Sequence, residues 1–390
     1  MIFFSNTEIA FKSKSNADLK RAYWLFKIVN SKINVFIGKY LLRIAIFIHF
    51  PIKWLVKPTV FKHFCGGETI NDCNITIEKL SQYSIGTILD YSIEGNNNNK
   101  AYDSAVLEII NTILKAANIK QIPFGVFKMS GIADHKLLSK INSNQKLSDE
   151  ESKEYQLIMN RLNLICKTAY EKNVSVFIDA EETWIQDAID KFATEMMLIY
   201  NKNKATVYNT IQLYRIDRLS YLKKMLEQTE KHPIFLGFKL VRGAYMEKER
   251  IRAIKMQYPS PIHLSKKETD LDYDEAVRFC MKHIHKISFC AGTHNENSSK
   301  MLANLIAQTN TNKSDKRIYF AQLYGMSDHI TYNLSNLGYN VAKYVPYGPI
   351  NSVLPYLIRR AEENTSVAGQ SSRELNLINL ERMRRKNILS

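Results

Sequence analysis

Cysteine is scarce in this chain and spaced for neither of its structural uses. The five residues, Cys65, Cys73, Cys166, Cys280 and Cys290, are odd in number and form no C-x-x-C pair. Neither a zinc knuckle nor a disulfide framework is therefore indicated, and a reducing interior fits best. A long apolar run free of charge is also missing. The nearest approach, VFIGKYLLRIAIFIHFPIKWLV (residues 35–56), is interrupted by Lys39, Arg43, His49, Pro51 and Lys53, and centrally placed charges are costly in hydrocarbon. A spanning helix is disfavoured. So is a secretory signal, because the run begins far from Met1 and no small-residue cleavage site follows. Two readings stay open for the segment: a helix packed on the body of the protein, or an aromatic, basic face resting on anionic lipid. No glycine-and-aromatic RNA-binding signature and no helix-turn-helix spacing is present, so no nucleic-acid partner is expected. His283, His285 and His294 are close in sequence, but the first two are two apart on an expected helix and face different directions, so no metal is expected.

What is present is enough for a large core. At 390 residues and 45% hydrophobic, the chain can form one big domain with an extension, or two domains. Its net charge is +16, and residues 1–67 hold eleven Lys and Arg against Glu8 and Asp18. More than half of the excess thus sits in an N-terminal arm.

Past the arm, short β-rich apolar runs alternate with longer amphipathic ones. The strand candidates are residues 87–93, 122–129, 174–180, 206–212, 234–241, 287–292, 317–323 and 340–344. Helix-like stretches separate them at 103–118, 149–172, 183–202, 215–231, 272–285, 297–308 and 327–337. Alternation of this length requires parallel strands with right-handed crossovers, and eight units suggest a closed barrel, whose chemistry belongs at the C-terminal strand ends. Lys128, Asp179 and Lys239 fall there inside otherwise apolar runs (GVFKMSG, VFIDAE, GFKLVRG). An unpaired charge in such a place is expensive, so these three are expected to meet each other or a ligand.

The last unit, YVPYGPINSVLPYLIRRAEEN (residues 344–364), reads as a strand, a turn and a short amphipathic helix. Leu354, Leu357, Ile358 and Ala361 recur on one face, and Tyr356, Arg359, Arg360 and Glu363 on the other. Asn351 or Ser352 is expected to cap the helix, with Pro355 in its first turn. The adjacent guanidinium groups suit an anion clamp, although Arg359 and Glu363 at i, i+4 also make an ordinary surface pair.

Six fragments in order, DAEETW, VYNTIQLY, FKLVRGAYMEKER, GTHNE, AQLYGM and YVPYG…LPYLIRRAEEN, resemble the proline dehydrogenase family, over about residues 75–364 and more loosely from residue 35. The resemblance implies a monofunctional enzyme with a distorted (β/α)8 TIM-type barrel, an N-terminal helical arm, and the last helix over the barrel mouth. It implies noncovalent FAD at the C-terminal face and L-proline as substrate. By the same resemblance Arg359 and Arg360 grip the substrate carboxylate, a task suited to bidentate guanidinium forks, and Glu363 orients them. Lys128 with Asp179 lines the pocket as a charged pair, Tyr344 packs against the proline ring, Leu323 supplies an apolar wall, and Tyr245 lies near the substrate end of the flavin. Gln212 and Lys239 sit by the flavin ring beside the backbone of Val241, Gly243 and Ala244, where glycine allows close approach. Arg242, Thr293, His294 and Asn295 meet the diphosphate, ribityl or adenosine portions. Some branches of the family carry Arg at the place of Lys239, and lysine keeps the charge but loses the fork.

The implied reaction is hydride transfer from the ring carbon adjacent to the amine to a flavin ring nitrogen, giving 1-pyrroline-5-carboxylate, with electrons passed to a membrane quinone. The expected organisation is a basic helical arm over residues 1–83, the barrel over 84–364 and a tail over 365–390. The location is cytoplasmic against the inner face of a bacterial membrane, or the mitochondrial matrix side, with a pyrroline-carboxylate dehydrogenase as a further partner. An anionic lipid surface gives the basic arm a purpose. The competing readings are hydroxyproline oxidation, which a bulky Tyr344 disfavours, and a non-catalytic basic barrel that binds membrane or nucleic acid.

Overall fold

The structure, a computed structural model, describes residues 3–29, 31, 38, 40, 56–92, 98–366 and 370–389. The segment read as apolar and basic, residues 35–56, lies almost wholly outside the described residues.

Eight strands, β1 (Ile85–Tyr91), β2 (Phe124–Lys128), β3 (Ser175–Asp179), β4 (Val207–Gln212), β5 (Leu236–Val241), β6 (Ile287–Gly292), β7 (Ile318–Leu323) and β8 (Val341–Tyr347), alternate with helices. The strand order is β1-β8-β7-β6-β5-β4-β3-β2, and each registered pair is parallel. This is the expected distorted β/α barrel, with β1 and β2 at the two ends of the ladder. By contacts the chain divides into two compact units, Asn96–Ala321 on one hand and Met1–Gly95 with Gln322–Ser390 on the other.

Within Asn96–Ala321 the sheet curls because its inner face is stacked with aromatic rings. Phe124 of β2 stacks on Phe177 of β3 at 4.2 Å and meets Tyr319 of β7 edge-on at 4.9 Å. β2 and β7 are five places apart in the order, so those rings touch only across a barrel interior. Tyr208 of β4 closes the layer against both Phe124 and Phe177. Gly237 of β5 makes room, since a Cβ there would lie 2.7 Å from the Tyr208 ring.

The helices of this unit are α4 (Asn99–Asn118), α5 (His135–Asn142), α6 (Asp149–Glu171), α7 (Thr183–Tyr200), α8 (Arg218–Thr229), α9 (Met246–Met256), α10 (Lys266–Lys282) and α11 (Glu296–Gln308). They follow α1 (Thr7–Ala10), α2 (Asn16–Val29) and α3 (Asn74–Ser81), which precede β1. Helices α6 and α10 open with capping boxes, Ser148 with Glu151 and Ser265 with Glu268. The second box starts α10 at Lys266 rather than the expected 272, and α10 ends at Lys282. His283 and His285 are therefore beyond the helix, not on it. Helices α5 and α9 were not legible in the sequence pattern.

The other unit pairs β1 with β8 from Ile85↔Val341 to Tyr91↔Tyr347. It adds α12 (Asp328–Asn336), α13 (Ile350–Ser366) and α14 (Gln370–Leu389). Strand β8 runs three residues past its expected end, through Pro346, whose carbonyl accepts the Gly66 N–H at 2.9 Å. The Pro349 carbonyl accepts from Ser352 and Val353, so α13 opens earlier than expected. Pro355 consequently falls inside α13 rather than in its first turn, where it removes the bond that an N–H would have made to Asn351. Tyr356, assigned to the polar face, is instead buried with Val353, Leu354 and Leu357 against Phe61 and Phe64. At the chain ends, Phe11, Leu19 and Phe26 pack on Leu377 and Ile378 of α14, and Arg385 donates to the carbonyls of Lys14 (2.8 Å) and Phe11 (3.0 Å). Among the described residues no helix is long and apolar enough to cross a membrane.

Lys343, in the middle of fully buried β8, is 1% exposed. Its Nζ lies 2.9 Å from Asp328, which also meets Lys14 at 3.3 Å, and it donates to the carbonyls of Met326 and Leu323. Burial alone would raise the Asp328 carboxyl, but Lys14 and Lys343 overcome that and hold it well below the usual carboxylate range. Replacing Asp328 by Ala strands a buried ammonium and should cost about 3–5 kcal/mol, read as a lower urea midpoint. Because its folded pKa is depressed, the Asp328 contribution is complete above the unfolded carboxyl pKa of about 4 and is lost as pH falls below it. An Asp328→Asn variant should accordingly lose less stability than the parent on acidification through that window.

Candidate active site

Side-chain alternation carries the barrel interior upward from the aromatic layer. Two residues beyond Phe177 is Asp179, four beyond Phe124 is Lys128, and four beyond Tyr208 is Gln212. Lys128 is in register with Asp179, Thr210 with Lys239, and Gln212 with Val241. These are C-terminal strand ends, as expected for chemistry in such a barrel. The Lys239 ammonium donates to the Asp179 carboxylate across β4, with their side chains 7% and 13% exposed. The same ammonium lies 5.5 Å over the Phe177 ring, a favourable cation–π position. Of the three in-run charges, the structure pairs Asp179 with Lys239 directly, and Lys128 is half-buried beside them at the end of β2.

Gln212 is a strut. Its Nε2 donates to the Glu181 carbonyl at 2.7 Å and its Oε1 accepts the Ala244 N–H at 3.2 Å, which ties the end of β3 to the loop after β5. Glu181 accepts the Ser130 N–H at 2.9 Å as well as its hydroxyl. Burial pushes the Glu181 carboxyl up, with the Ser130 bonds and the Lys128 charge opposing. Next to it Glu182 goes the other way: burial would raise it, but His135 and Lys248 hold it at about 2. Cys290, in register with Lys239, is buried, and its thiol is pushed up to about 12. It stays protonated and offers no thiolate.

Beyond β5 the chain turns through Gly243 at φ +129°. The Tyr214 N–H donates to the Arg242 carbonyl at 2.7 Å, and a Cβ on Gly243 would lie 2.5 Å from the Tyr214 ring. Gly243 and Ala244 are exposed, Val241 is half-buried, and Tyr245 is buried just before α9. The Arg242 guanidinium gathers three partners: Asp270 at 2.6 Å, Thr293 Oγ1 at 2.6 Å and Ser298 Oγ at 2.9 Å. Thr293 Oγ1 also accepts the Asn295 N–H at 3.1 Å, and Asn295 caps α11 by accepting from Asn297 and Ser298. Arg242, Thr293 and Asn295 thus form one connected group at a helix N-terminus, with half-buried His294 between them.

The remaining residues belong to the other unit. Tyr344 is buried on β8 and its carbonyl accepts the Tyr324 N–H at 2.8 Å. The Leu323 side chain packs against the Phe61 and Leu357 cluster. Arg359 is half-buried on α13, and the side chains of Arg360 and Glu363 lie outside the described residues.

The donor set of Asn96–Ala321 suits FAD. Lys239 and Gln212 offer polar contacts at the inner strand ends, Arg242 and the start of α11 offer positive charge for a diphosphate, and the exposed Gly243–Ala244 backbone admits close approach. Thr210 adds a sign: its buried hydroxyl, on the inner face between Tyr208 and Gln212, has no hydrogen-bond partner among the described residues. A buried hydroxyl in that condition costs about 1–3 kcal/mol unless a polar group meets it. Sequence reading overlooked Thr210 and the buried Lys343, although VAKYV displays the same lysine-in-apolar-run signal that singled out Lys128 and Lys239.

The sequence profile of the proline dehydrogenase family matches residues 73–373. Proline dehydrogenase 1, mitochondrial, of Dictyostelium discoideum is 32% identical over 365 residues, with 83% of this chain and 64% of that one covered. The chain thus spans just under two thirds of that relative. The carbapenem antibiotics biosynthesis protein CarD of Pectobacterium carotovorum is 32% identical over 322 residues, 83% of each chain. In three dimensions the proline utilization A protein of Bdellovibrio bacteriovorus, solved after inactivation by N-propargylglycine, superposes with a TM-score of 0.73 at 21% identity. That superposition covers 92% of this chain and 38% of the other, and it bears on the fold.

Gly243→Ala combines a left-handed backbone with a ring clash and should cost about 1–3 kcal/mol from backbone strain alone. A drop in the thermal midpoint checks it. A Tyr214→Phe control, which keeps the ring, should not rescue the alanine.

Proposed function

This chain belongs to the proline dehydrogenase family, and on that premise we propose that it oxidises L-proline to 1-pyrroline-5-carboxylate with FAD as bound cofactor. The family match across residues 73–373 carries the reading. The buried Lys239–Asp179 pair at the inner strand ends supports it, because ions are retained in a barrel interior at a cost that a binding site can justify. When bound, FAD would supply the two-electron oxidant, taking a hydride from the ring carbon that is next to the amine and does not bear the carboxylate.

The residues do the positioning. Arg359 and Arg360 hold the substrate carboxylate by paired, charge-assisted hydrogen bonds, and Glu363 keeps the arginines aimed. Tyr344 packs against the proline ring and Leu323 forms an apolar wall. Lys128 and Asp179 line the pocket floor, and Tyr245 flanks the substrate end of the cofactor. Gln212 and Lys239, with the backbone of Val241, Gly243 and Ala244, hold the polar edge of the isoalloxazine, while Arg242, Thr293, His294 and Asn295 hold the diphosphate end. Together these contacts hold donor and acceptor in register. No side chain of raised basicity is required, since the proton that leaves the amine as the C=N bond forms passes to solvent. Electrons then pass to a membrane quinone. The protein works at the inner face of a bacterial membrane or on the matrix side of a mitochondrial one, and a pyrroline-carboxylate dehydrogenase consumes the product.

A purified preparation should be yellow, and anaerobic L-proline should bleach its flavin absorbance. A colourless preparation that binds neither FAD nor proline would leave the non-catalytic barrel as the better account. Arg359→Ala should raise KM for proline about 10- to 100-fold, the loss of about 1.5–3 kcal/mol for a hydrogen bond to a charged group, with a smaller change in kcat. Turnover of hydroxyproline should be well below that of proline if Tyr344 crowds the ring.

A further inference from the structure

Helix α9 and the loop after it carry apolar side chains that stand exposed among the described residues. Leu264 at 84% and Ile254 at 80% exposure are the two most exposed large hydrophobic residues among those described, and Ile251 (66%), Met256 (55%) and Met246 (47%) accompany them. They are not scattered. At about 3.6 residues per turn, Ile251 and Ile254 lie side by side on the face opposite buried Glu249 and Ala253. Arg250 flanks that pair on one side and Lys255 with Lys248 on the other, with Glu247 on the same face. The Arg250 guanidinium also donates to the Leu264 carbonyl at 3.0 Å, which holds the loop beside the helix. Apolar centre, basic flanks and long cationic side chains able to extend outward are the pattern of a helix lying in a lipid interface.

Charge selects the occupant. Residues 246–267 hold Lys248, Arg250, Arg252, Lys255, Lys266 and Lys267 against Glu247 and Glu249. Glu249 is turned inward, accepting the Thr183 N–H at 2.8 Å and hydroxyl at 2.6 Å. Lys248 and Lys266 have carboxylate neighbours in Glu182 and Asp270, yet the face stays positive on a chain of net charge +16. An apolar protein partner would not need that excess, whereas an anionic bilayer uses both terms together.

We propose that the outward face of α9, with the loop to Leu264, is the surface by which this protein seats on an anionic lipid bilayer, in addition to anything the N-terminal arm contributes. The inference rests on the proposed delivery of electrons to a membrane quinone, and it gives that step a location. α9 begins directly after Tyr245 and the exposed Gly243–Ala244 backbone, so lipid contact there puts a quinone dissolved in the bilayer near the proposed flavin edge.

The test uses the full chain and two kinds of extruded vesicle, phosphatidylcholine alone and an equal mixture with phosphatidylglycerol. The parent protein should co-sediment with the mixed vesicles and not with the neutral ones. An Ile251→Glu/Ile254→Glu variant should bind about tenfold or more weakly, with unchanged thermal midpoint and unchanged proline turnover on a soluble dye, while turnover on a vesicle-dissolved quinone falls with binding. A Lys255→Gln/Lys267→Gln variant, apolar face intact, should bind more weakly at low salt and with a shallower salt dependence than the parent. Parental binding by the Ile variant would overturn the proposal and assign the membrane contact elsewhere. So would absence of any vesicle binding by the parent, or a shift from dimer to monomer in the Ile variant with vesicle binding unaltered, which would make the face a self-interface. Failure of the parent to turn over proline on the soluble dye would instead sink the enzymatic reading, whatever the vesicles show.

Discussion

An ammonium and a carboxylate held out of water against each other, Lys239 on β5 and Asp179 on β3, constrain everything around them. Each ion taken alone would cost several kcal/mol to bury, and their attraction offsets this only if both sit on the same face of the sheet at close range. Register is the consequence. A slip of one residue in β3 or β5 would turn one charge outward into the helix layer and leave the other uncompensated inside. The aromatic layer below fixes the same register independently, because Phe124 must meet Phe177, Tyr208 and Tyr319 at once. Packing and electrostatics therefore agree on one arrangement, and Gln212, bonded at both ends to backbone, converts that arrangement into a fixed spacing between the ends of β3 and β5.

A second buried lysine shows the same economy used differently. Lys343 is more deeply enclosed than Lys239, and burial pulls its pKa down while Asp328 opposes. Its remaining hydrogen bonds go to the carbonyls of Leu323 and Met326, so it braces the loop between β7 and α12. Lys239 lies over the ring of Phe177 at the strand ends; Lys343 meets backbone carbonyls and Asp328, a carboxylate it shares with Lys14. The first stands at the strand ends where the cofactor is proposed to bind, and the second braces unit Met1–Gly95 with Gln322–Ser390.

Strand positions were legible from the sequence because buried parallel strands give continuous β-branched and aromatic runs, and β6 matches its expected limits of 287 and 292. The strand-end charges were legible for a related reason: Lys128, Asp179 and Lys239 break apolar runs, and only a partner or ligand makes that tolerable. What escaped was set by capping and tertiary contact. The Ser265–Glu268 box placed the start of α10 ahead of the apolar pattern. Helix α9 shows too little buried apolar surface to reveal a periodicity, having Ala253 as its one buried apolar residue. Pro355 was read as a helix opener, yet the Pro349 carbonyl had already begun the turn. The dual anchoring of Gln212 depends on the path of the loop through Gly243, which no local spacing encodes.

The unit built from both chain ends has an implication for biosynthesis. Among the described residues β1 pairs with β8 and the α1–α2 layer rests on α14, so the first ninety-odd residues close long-range contacts with the last seventy. During translation the basic N-terminal region must emerge and wait, its apolar faces uncovered, until the ribosome has delivered everything in between. Contacts of that sequence span are slow to close and leave adhesive surface exposed meanwhile. A nascent chain of this design calls for a holdase early and rewards rapid elongation late.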